Sequence, residues 1–249
     1  MRRIMAVWLT IVLTVLLGNT GAFAEKPDVS GSASVGVFSN YVWRGQKLSN
    51  AYVIQPSVGI TYNGFGVSLW SNIDSDFGDE MEITETDLTI DYAFDIDKFS
   101  LDTGLIYYGL EGAADTAEIY ASVSYDTLLS PSLTLYYDID EGDGGFLVFS
   151  IGHSFSLPKD ISLSLGASAS VNLDNEVMGY DSGGDTFTNF YNGELSASLS
   201  IPVTGSITLE PMIAYSFPLS NDAEDAIMGI SDDGDRDIFY GGITLSLSF

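Results

Sequence analysis

The chain has 249 residues, 45% hydrophobic and 17% charged, with 35 Asp and Glu against 8 Lys and Arg, one His, no Cys and a formal net charge of −27. This composition supplies no disulfide scaffold, thiolate metal site or cysteine nucleophile. It also supplies no basic face for a phosphate backbone, which argues against nucleic acid as a partner, and it is too apolar for a disordered chain.

The first segment has the layout of an export signal. Arg2 and Arg3 form a basic start, residues 4–17 an apolar stretch, and Ala22-Phe23-Ala24 a small-x-small cleavage site. The expected domains are therefore a signal peptide, 1–24, and a mature chain, 25–249, with six basic residues against 35 acidic ones and a net charge of −29. No later stretch approaches the roughly 20 apolar residues of a spanning helix, so crossing a membrane would require strands.

From residue 29 onward the hydrophobic period is two. In the last segment Phe239, Ile243, Leu245, Leu247 and Phe249 share one face, and Thr244, Ser246 and Ser248 the other. Twelve such segments are predicted, at 29–44, 51–62, 65–74, 83–94, 99–109, 117–127, 132–140, 146–156, 161–173, 188–201, 206–217 and 238–249. Their connections alternate between turns (63–64, 95–98, 128–131, 157–160, 202–205) and mostly longer, acidic loops (45–50, 75–82, 110–116, 141–145, 174–187, 218–237). Asn63-Gly64 is the strongest hairpin signal among the turns. Turns at one end, loops at the other and an even strand number describe an all-β, twelve-stranded antiparallel up-and-down transmembrane β-barrel with both termini at the turn end.

A soluble β-sandwich shares the alternation. Against it, the polar faces here carry mostly Ser, Thr, Gly and Asn with interspersed carboxylates, which suits a concave interior. Aromatic residues on the apolar faces gather at segment ends. Tyr41, Trp43, Tyr52, Tyr107, Tyr137, Tyr191, Tyr215 and Phe239 mark the loop end, and Tyr62, Phe65, Tyr92, Phe94, Phe99, Tyr125, Phe155 and Phe249 the turn end. Two aromatic belts around an aliphatic band match a hydrocarbon slab with two interfaces. A last strand ending on Phe249 resembles the sorting signal of bacterial outer-membrane proteins, making outer-membrane lipid and the barrel-assembly machinery expected partners. Pro56 and Pro211 fall inside predicted strands, and each should leave a local bulge or displaced bond.

The run Ser39-Asn40-Tyr41-Val42-Trp43-Arg44-Gly45 resembles the S-[DN]-Y-x-[FW]-R-G opening of the TorF-type porin family, the Gcw-type conserved hypothetical proteins. The resemblance extends to Asp138-Ile139-Asp140-Glu141-Gly142, to Gly152-His153-Ser154-Phe155 and to the last strand. It implies an outer-membrane barrel with a porin role and an undefined solute.

Strand phase places Arg44, Trp70, Glu85, Asp87, Asp91, Asp102, Tyr108, Glu118, Tyr120, Asp126, Tyr136, Asp138, Glu194 and Glu210 on the pore wall. Nine of these are carboxylates and Arg44 is the sole base, so the wall should attract cations and repel anions. Counting positions sets Glu194 beside Glu210 as a candidate constriction and makes Asp91 face Asp102 near the turn end. Arg44 is expected to pin a loop or close the seam, while the inward aromatic rings fill a taper or offer stacking faces to a sugar or an organic cation.

His153 shares its phase with Phe149, Ile151 and Phe155 on the lipid side, away from any nucleophile, so no enzyme activity is expected. The loop acids Asp233, Asp235 and Asp237 are hard-oxygen candidates for weak divalent binding without EF-hand spacing, and no cofactor is expected. The function expected is passive, cation-preferring diffusion of small hydrophilic solutes. The alternative is a narrow or loop-plugged barrel acting through its acidic loops.

Overall fold

The computed structural model describes residues 29–249 apart from Asp79 and Asp232, so the predicted signal segment lies outside the described residues. Twelve strands build the wall: β1 (Val29–Phe38), β4 (Val53–Tyr62), β5 (Phe65–Phe77), β6 (Glu80–Ile96), β7 (Phe99–Leu110), β8 (Thr116–Tyr125), β9 (Ser132–Asp138), β10 (Gly145–Ser156), β11 (Ser162–Leu173), β12 (Thr188–Pro202), β13 (Ile207–Pro218) and β14 (Ile238–Ser248). Two short strands, β2 (Val42–Trp43) and β3 (Gln46–Lys47), and one helix, α1 (Asn221–Ile230), lie off the wall.

Neighbouring wall strands pair antiparallel, and β1 joins β14 as well as β4, so the sheet closes on itself and the sandwich is excluded. The seam runs from Ser32↔Ser248 to Phe38↔Gly242, and Gly31 and Phe249 exchange backbone bonds of 2.7 and 2.9 Å below it. Closure leaves no sheet edge, the condition that lipid imposes on a backbone with no water to bond.

Alternation sorts the side chains by face. Val58, Leu69, Leu105, Leu135, Leu165, Ile213 and Leu245 are exposed on the outside, while Ser34, Ser57, Ser122, Thr134, Ser164 and Ser196 occupy the lumen phase. Tyr62, Tyr92, Phe94, Phe99, Tyr125, Phe155 and Phe249 are exposed around the turn end, and Tyr52, Tyr107, Tyr137, Tyr215 and Phe239 around the loop end.

Tyr41, Trp43 and Tyr191, expected in the loop-end belt, face inward instead. The first predicted strand divides: β1 stops at Phe38, and beyond it Arg44 and Gly45 both take positive φ (50° and 85°), forming a two-residue turn between Trp43 and Gln46. Two adjacent positive-φ residues suit a tight β-hairpin and break an extended strand. Tyr191 turns in through a bulge: Ala169 pairs with Gly193 but Val171 with Phe190, which places Tyr191 and Asn192 together inside.

The prolines displace bonds without shifting register. The β4–β5 ladder runs Ile54↔Ile73 to Ser57↔Trp70 with no pairs recorded for Gln55 and Pro56, and the β12–β13 ladder skips the position of Pro211 between Ser198↔Met212 and Ile201↔Leu209. Each proline's other neighbour pairs without interruption. Two expected loops are corrected. Most of 75–82 is strand, since β5 and β6 rise to Phe77 and Glu80, and 218–237 holds α1. Ser220 caps α1 by accepting from the Ala223 N–H at 3.2 Å, with Asp222 and Glu224 favourably placed in the first turn.

At the seam, a Cβ on Gly242 would lie 2.4 Å from the Val37 carbonyl oxygen and 2.2 Å from the Phe38 ring. Gly242→Ala should destabilise the barrel by about 1–3 kcal/mol, the usual scale of overpacking, measured as a lower thermal midpoint in the heat-modified mobility shift on detergent gels.

Candidate functional site in the barrel lumen

The loop half of the lumen is filled by the chain's own first loop. After Phe38 the backbone leaves the wall, and the β2–β3 hairpin carries Arg44 across the barrel to β8. Its Nη1 and Nη2 donate to the two oxygens of Glu118, each at 2.7 Å, and the Tyr108 hydroxyl donates to the same carboxylate at 2.8 Å. The guanidinium carbon lies 4.4 Å from the Trp43 and Tyr136 ring centroids and 4.7 Å from that of Phe146. Glu118 is 1% exposed. A charge pair so deep holds only where the geometry repays desolvation, and a bidentate fork with three aromatic faces meets that condition. Arg44 thus pins the first loop onto a wall carboxylate.

Further contacts seat the hairpin beneath a lid. Gln46 Nε2 donates to the Tyr191 hydroxyl at 3.0 Å and to the Val177 carbonyl at 3.2 Å, and the Tyr191 hydroxyl donates to the Met178 carbonyl at 2.8 Å. Lys47 Nζ pairs with Asp233, and with Asp235 at 3.3 Å, while its N–H donates to Ser231 Oγ at 3.2 Å. Phe146, Met178, Phe187 and Tyr191 pack against Ala223, Ala226 and Ile227 of α1, forming a small apolar core across this mouth. Asn189 Nδ2 donates to Asp222 at 2.9 Å and the Ser220 hydroxyl to the Phe190 carbonyl at 2.6 Å, tying α1 to β12.

The lumen is therefore graded. Asn72, Glu85, Thr116, Glu118, Asp138, Ser170, Asn172, Asn192 and Ser216 are buried in its loop half, whereas Ser34, Ser57, Thr89, Ser122, Ser164 and Ser196 nearer the turns remain half-exposed. Asn192 knits the buried layer together, its N–H donating to Ser170 Oγ and its Nδ2 to Ser216 Oγ, each at 3.0 Å. Between hairpin and wall is a cavity of about 500 Å³ whose lining includes Tyr41, Trp43, Arg44, Trp70, Asp87 and Tyr108.

The predicted wall residues separate into groups. Glu85 lies beside Tyr41 and Asp87. Asp91 is diagonal to Asp102 and folds over Gly66, while Asp102 accepts from the Tyr120 hydroxyl at 3.0 Å. Glu194 accepts from Tyr240 at 2.9 Å and Glu210 from Ser246 at 3.2 Å. These two do not form a constriction: Glu194 is level with Ser216, six residues from Glu210 on β13, which is about 20 Å along the strand. Asp126 is not on the wall, because β8 ends at Tyr125 and leaves it exposed in the turn. Asp138 is structural, accepting from Thr116 Oγ1 at 2.8 Å and from the Asp140 N–H at 2.9 Å.

Among the loop acids, Asp233 and Asp235 serve Lys47, and Asp237 accepts from Tyr215 at 2.8 Å. Among the described residues, no group of three or more His, Asp or Glu is placed to hold a metal ion. His153 Nδ1 lies 2.7 Å from the Leu128 carbonyl oxygen, with its ring edge-on to Phe155. Gln46, Lys47, Tyr191, Asn192 and Tyr240 are lumen residues outside the expected set. The Arg44-Gly45 turn and the Ser220 cap, followed by Ala223, Ala226 and Ile227, were the available signals for hairpin and lid.

A barrel of twelve strands, apolar outside and polar within, has the architecture of outer-membrane β-barrel proteins. The family described as "Bacterial protein of unknown function (Gcw_chp)" matches residues 24–139, from before β1 to just past β9. No curated protein matches the chain. Among solved structures, the COG4313 outer membrane channel from Pseudomonas putida F1 is 10% identical with a TM-score of 0.55, the match covering 93% of this chain and 98% of that one. The NanC porin is 12% identical with a TM-score of 0.52, covering 88% and 98%. At such identities the likeness is one of fold.

Arg44→Ala should cost about 3–5 kcal/mol by leaving the Glu118 charge buried without a partner. Adding Glu118→Gln should recover part of that loss, both read from urea unfolding in detergent. The lid has its own pH limits. The hydrogen bond from Lys47 holds the Asp233 carboxyl below its ordinary value of 3.8; burial acts to lower Lys47, but Asp233 and Asp235 outweigh it and leave its ammonium above 10.5. Asp233 therefore stabilises the closed lid above its unfolded value and loses that contribution as pH falls through its depressed folded value. Lys47 contributes below its unfolded value and loses its contribution as pH rises through its raised folded value. Proteolytic nicking of residues 219–237 should rise below about pH 4 and above about pH 10.5, and Lys47→Met should remove both dependences.

Proposed function

We propose that the protein is an outer-membrane channel for passive diffusion of small hydrophilic solutes, with preference for cations, its turns in the periplasm and its loops outside. The observation that carries this reading is the charge balance of the lumen. Arg44 is neutralised by Glu118, leaving Glu85, Asp87, Asp91, Asp102, Glu194 and Glu210 without a basic counter-ion among the described contacts. A water-filled passage walled by such groups favours cations. The similarity to two outer membrane channels supports a channel fold, and the Ser39–Gly45 motif supports the TorF-type porin assignment.

In this reading the partners are lipid at the two aromatic belts, the assembly machinery that receives the strand ending in Phe249, and the solutes themselves. Catalysis has no part in it, because His153 sits on the outer wall against Phe155 and Leu128. A second reading, a barrel held shut that acts through its acidic surface loops, draws on the packed lid and seated hairpin.

Planar-bilayer recording separates the two. The channel reading expects discrete conductance steps whose reversal potential in a tenfold KCl gradient has the sign of K⁺ selectivity, and Asp91→Asn with Asp102→Asn should move it towards zero. Anion selectivity would overturn the cation preference. Silence from the native protein, with steps appearing only in Arg44→Ala, would establish the shut barrel.

A further inference from the structure

The cavity under the hairpin has an unusual hydrogen-bond balance. Six lining side chains have their donors engaged: Arg44 and the Tyr108 hydroxyl with Glu118, the Tyr240 hydroxyl with Glu194, Tyr41 with Glu85, Asn40 Nδ2 with the Ser49 carbonyl at 3.3 Å, and Gln55 Nε2 with Asn72 at 3.0 Å, while the Trp43 and Trp70 N–H groups and the Thr89 and Tyr136 hydroxyls have no partner among the described contacts. Acceptors remain. Asp87 is on the cavity wall beside Glu85, and its Oδ1 has no hydrogen-bond partner within the protein. Aromatic rings share the cavity wall: Tyr41 and Trp70 with centroids 5.7 Å apart, and Trp43 edge-on to Tyr108 at 6.1 Å.

A ligand for this space has to bring donors, positive charge and apolar surface. An anion would meet a guanidinium already neutralised and a carboxylate that repels it. A neutral sugar would find most of the lining donors engaged. We propose that the cavity is a binding site for a small primary alkylammonium compound, its N–H groups donating to Asp87 and its carbon chain held between Trp70, Tyr41 and Tyr108. The volume of about 500 Å³ falls within the usual range of small-molecule sites, and a cation against aromatic faces in a desolvated pocket is favourable. The proposal deepens the cation-channel reading and rests on it for the ligand's route of entry.

Trp43 and Trp70 both line the cavity and are the only tryptophans beyond residue 24, so intrinsic fluorescence reports on it directly. Titrating the detergent-solubilised protein with n-butylammonium chloride at pH 7 should give a saturable change. n-Butanol, the neutral counterpart, should give none, and tetramethylammonium, which has no N–H, should bind more weakly. Asp87→Asn should weaken n-butylammonium binding by at least about tenfold, with folding checked by heat-modified mobility. Equal responses to n-butanol, unchanged affinity in folded Asp87→Asn, or no saturable response overturns the site. Should Asp87→Asn fail to fold, the three-probe comparison on the native protein decides. Binding needs no conductance, so a silent barrel that binds n-butylammonium loses only the channel reading, and a K⁺-selective channel that ignores it loses only the site.

Discussion

A backbone surrounded by hydrocarbon has no water to satisfy its N–H and C=O groups, and the structure follows from that constraint. Twelve strands meet it by pairing in a ring, with the seam between β1 and β14 completing the circuit. Closure then dictates the alternation: one side of every strand faces outward and carries Val, Leu and Ile, and the other faces a confined interior. The prolines obey the same demand. Pro56 and Pro211 each interrupt pairing on one side for a short stretch while the other side stays continuous, so neither costs the barrel its register.

Closing a ring of twelve leaves more interior than serines and threonines can fill, and the chain supplies the filler from its first loop. The hairpin is held by one deep charge pair, Arg44 with Glu118, and by the rings that surround the guanidinium. Above it, the bulge in β12 turns Tyr191 inward to meet Gln46 and the apolar face of α1. These contacts join segments from distant parts of the chain into one stopper at the loop end, while the turn end keeps a half-exposed polar lining. The aromatic cavity is the space left between stopper and wall.

The barrel was legible because period-two alternation is a local property that closure amplifies. Strand number, face assignment and most boundaries follow from it. The stopper was much less legible. Tyr41, Trp43 and Tyr191 carry the residue types of an interfacial belt, and only the Arg44-Gly45 turn and an unsignalled bulge redirect them. Glu118 and Asp138 look like any other inward carboxylates until their partners, Arg44 and Thr116, are known. Counting along each strand sets Glu194 beside Glu210, but stagger between strands is set by the closed sheet and separates them. The helix in 218–237 had a capping signature, but its length inside an acidic loop hid it.

A stopper fastened at one mouth makes the two ends inequivalent. Toward the turns the wall beyond the chamber around Trp70 is polar and half-exposed, while a molecule arriving at the loops first meets the tight cluster of Phe146, Tyr191 and Ile227. For as long as the fastening holds, the loop mouth is the narrower approach to the chamber, and what passes the barrel is selected there rather than at the turns.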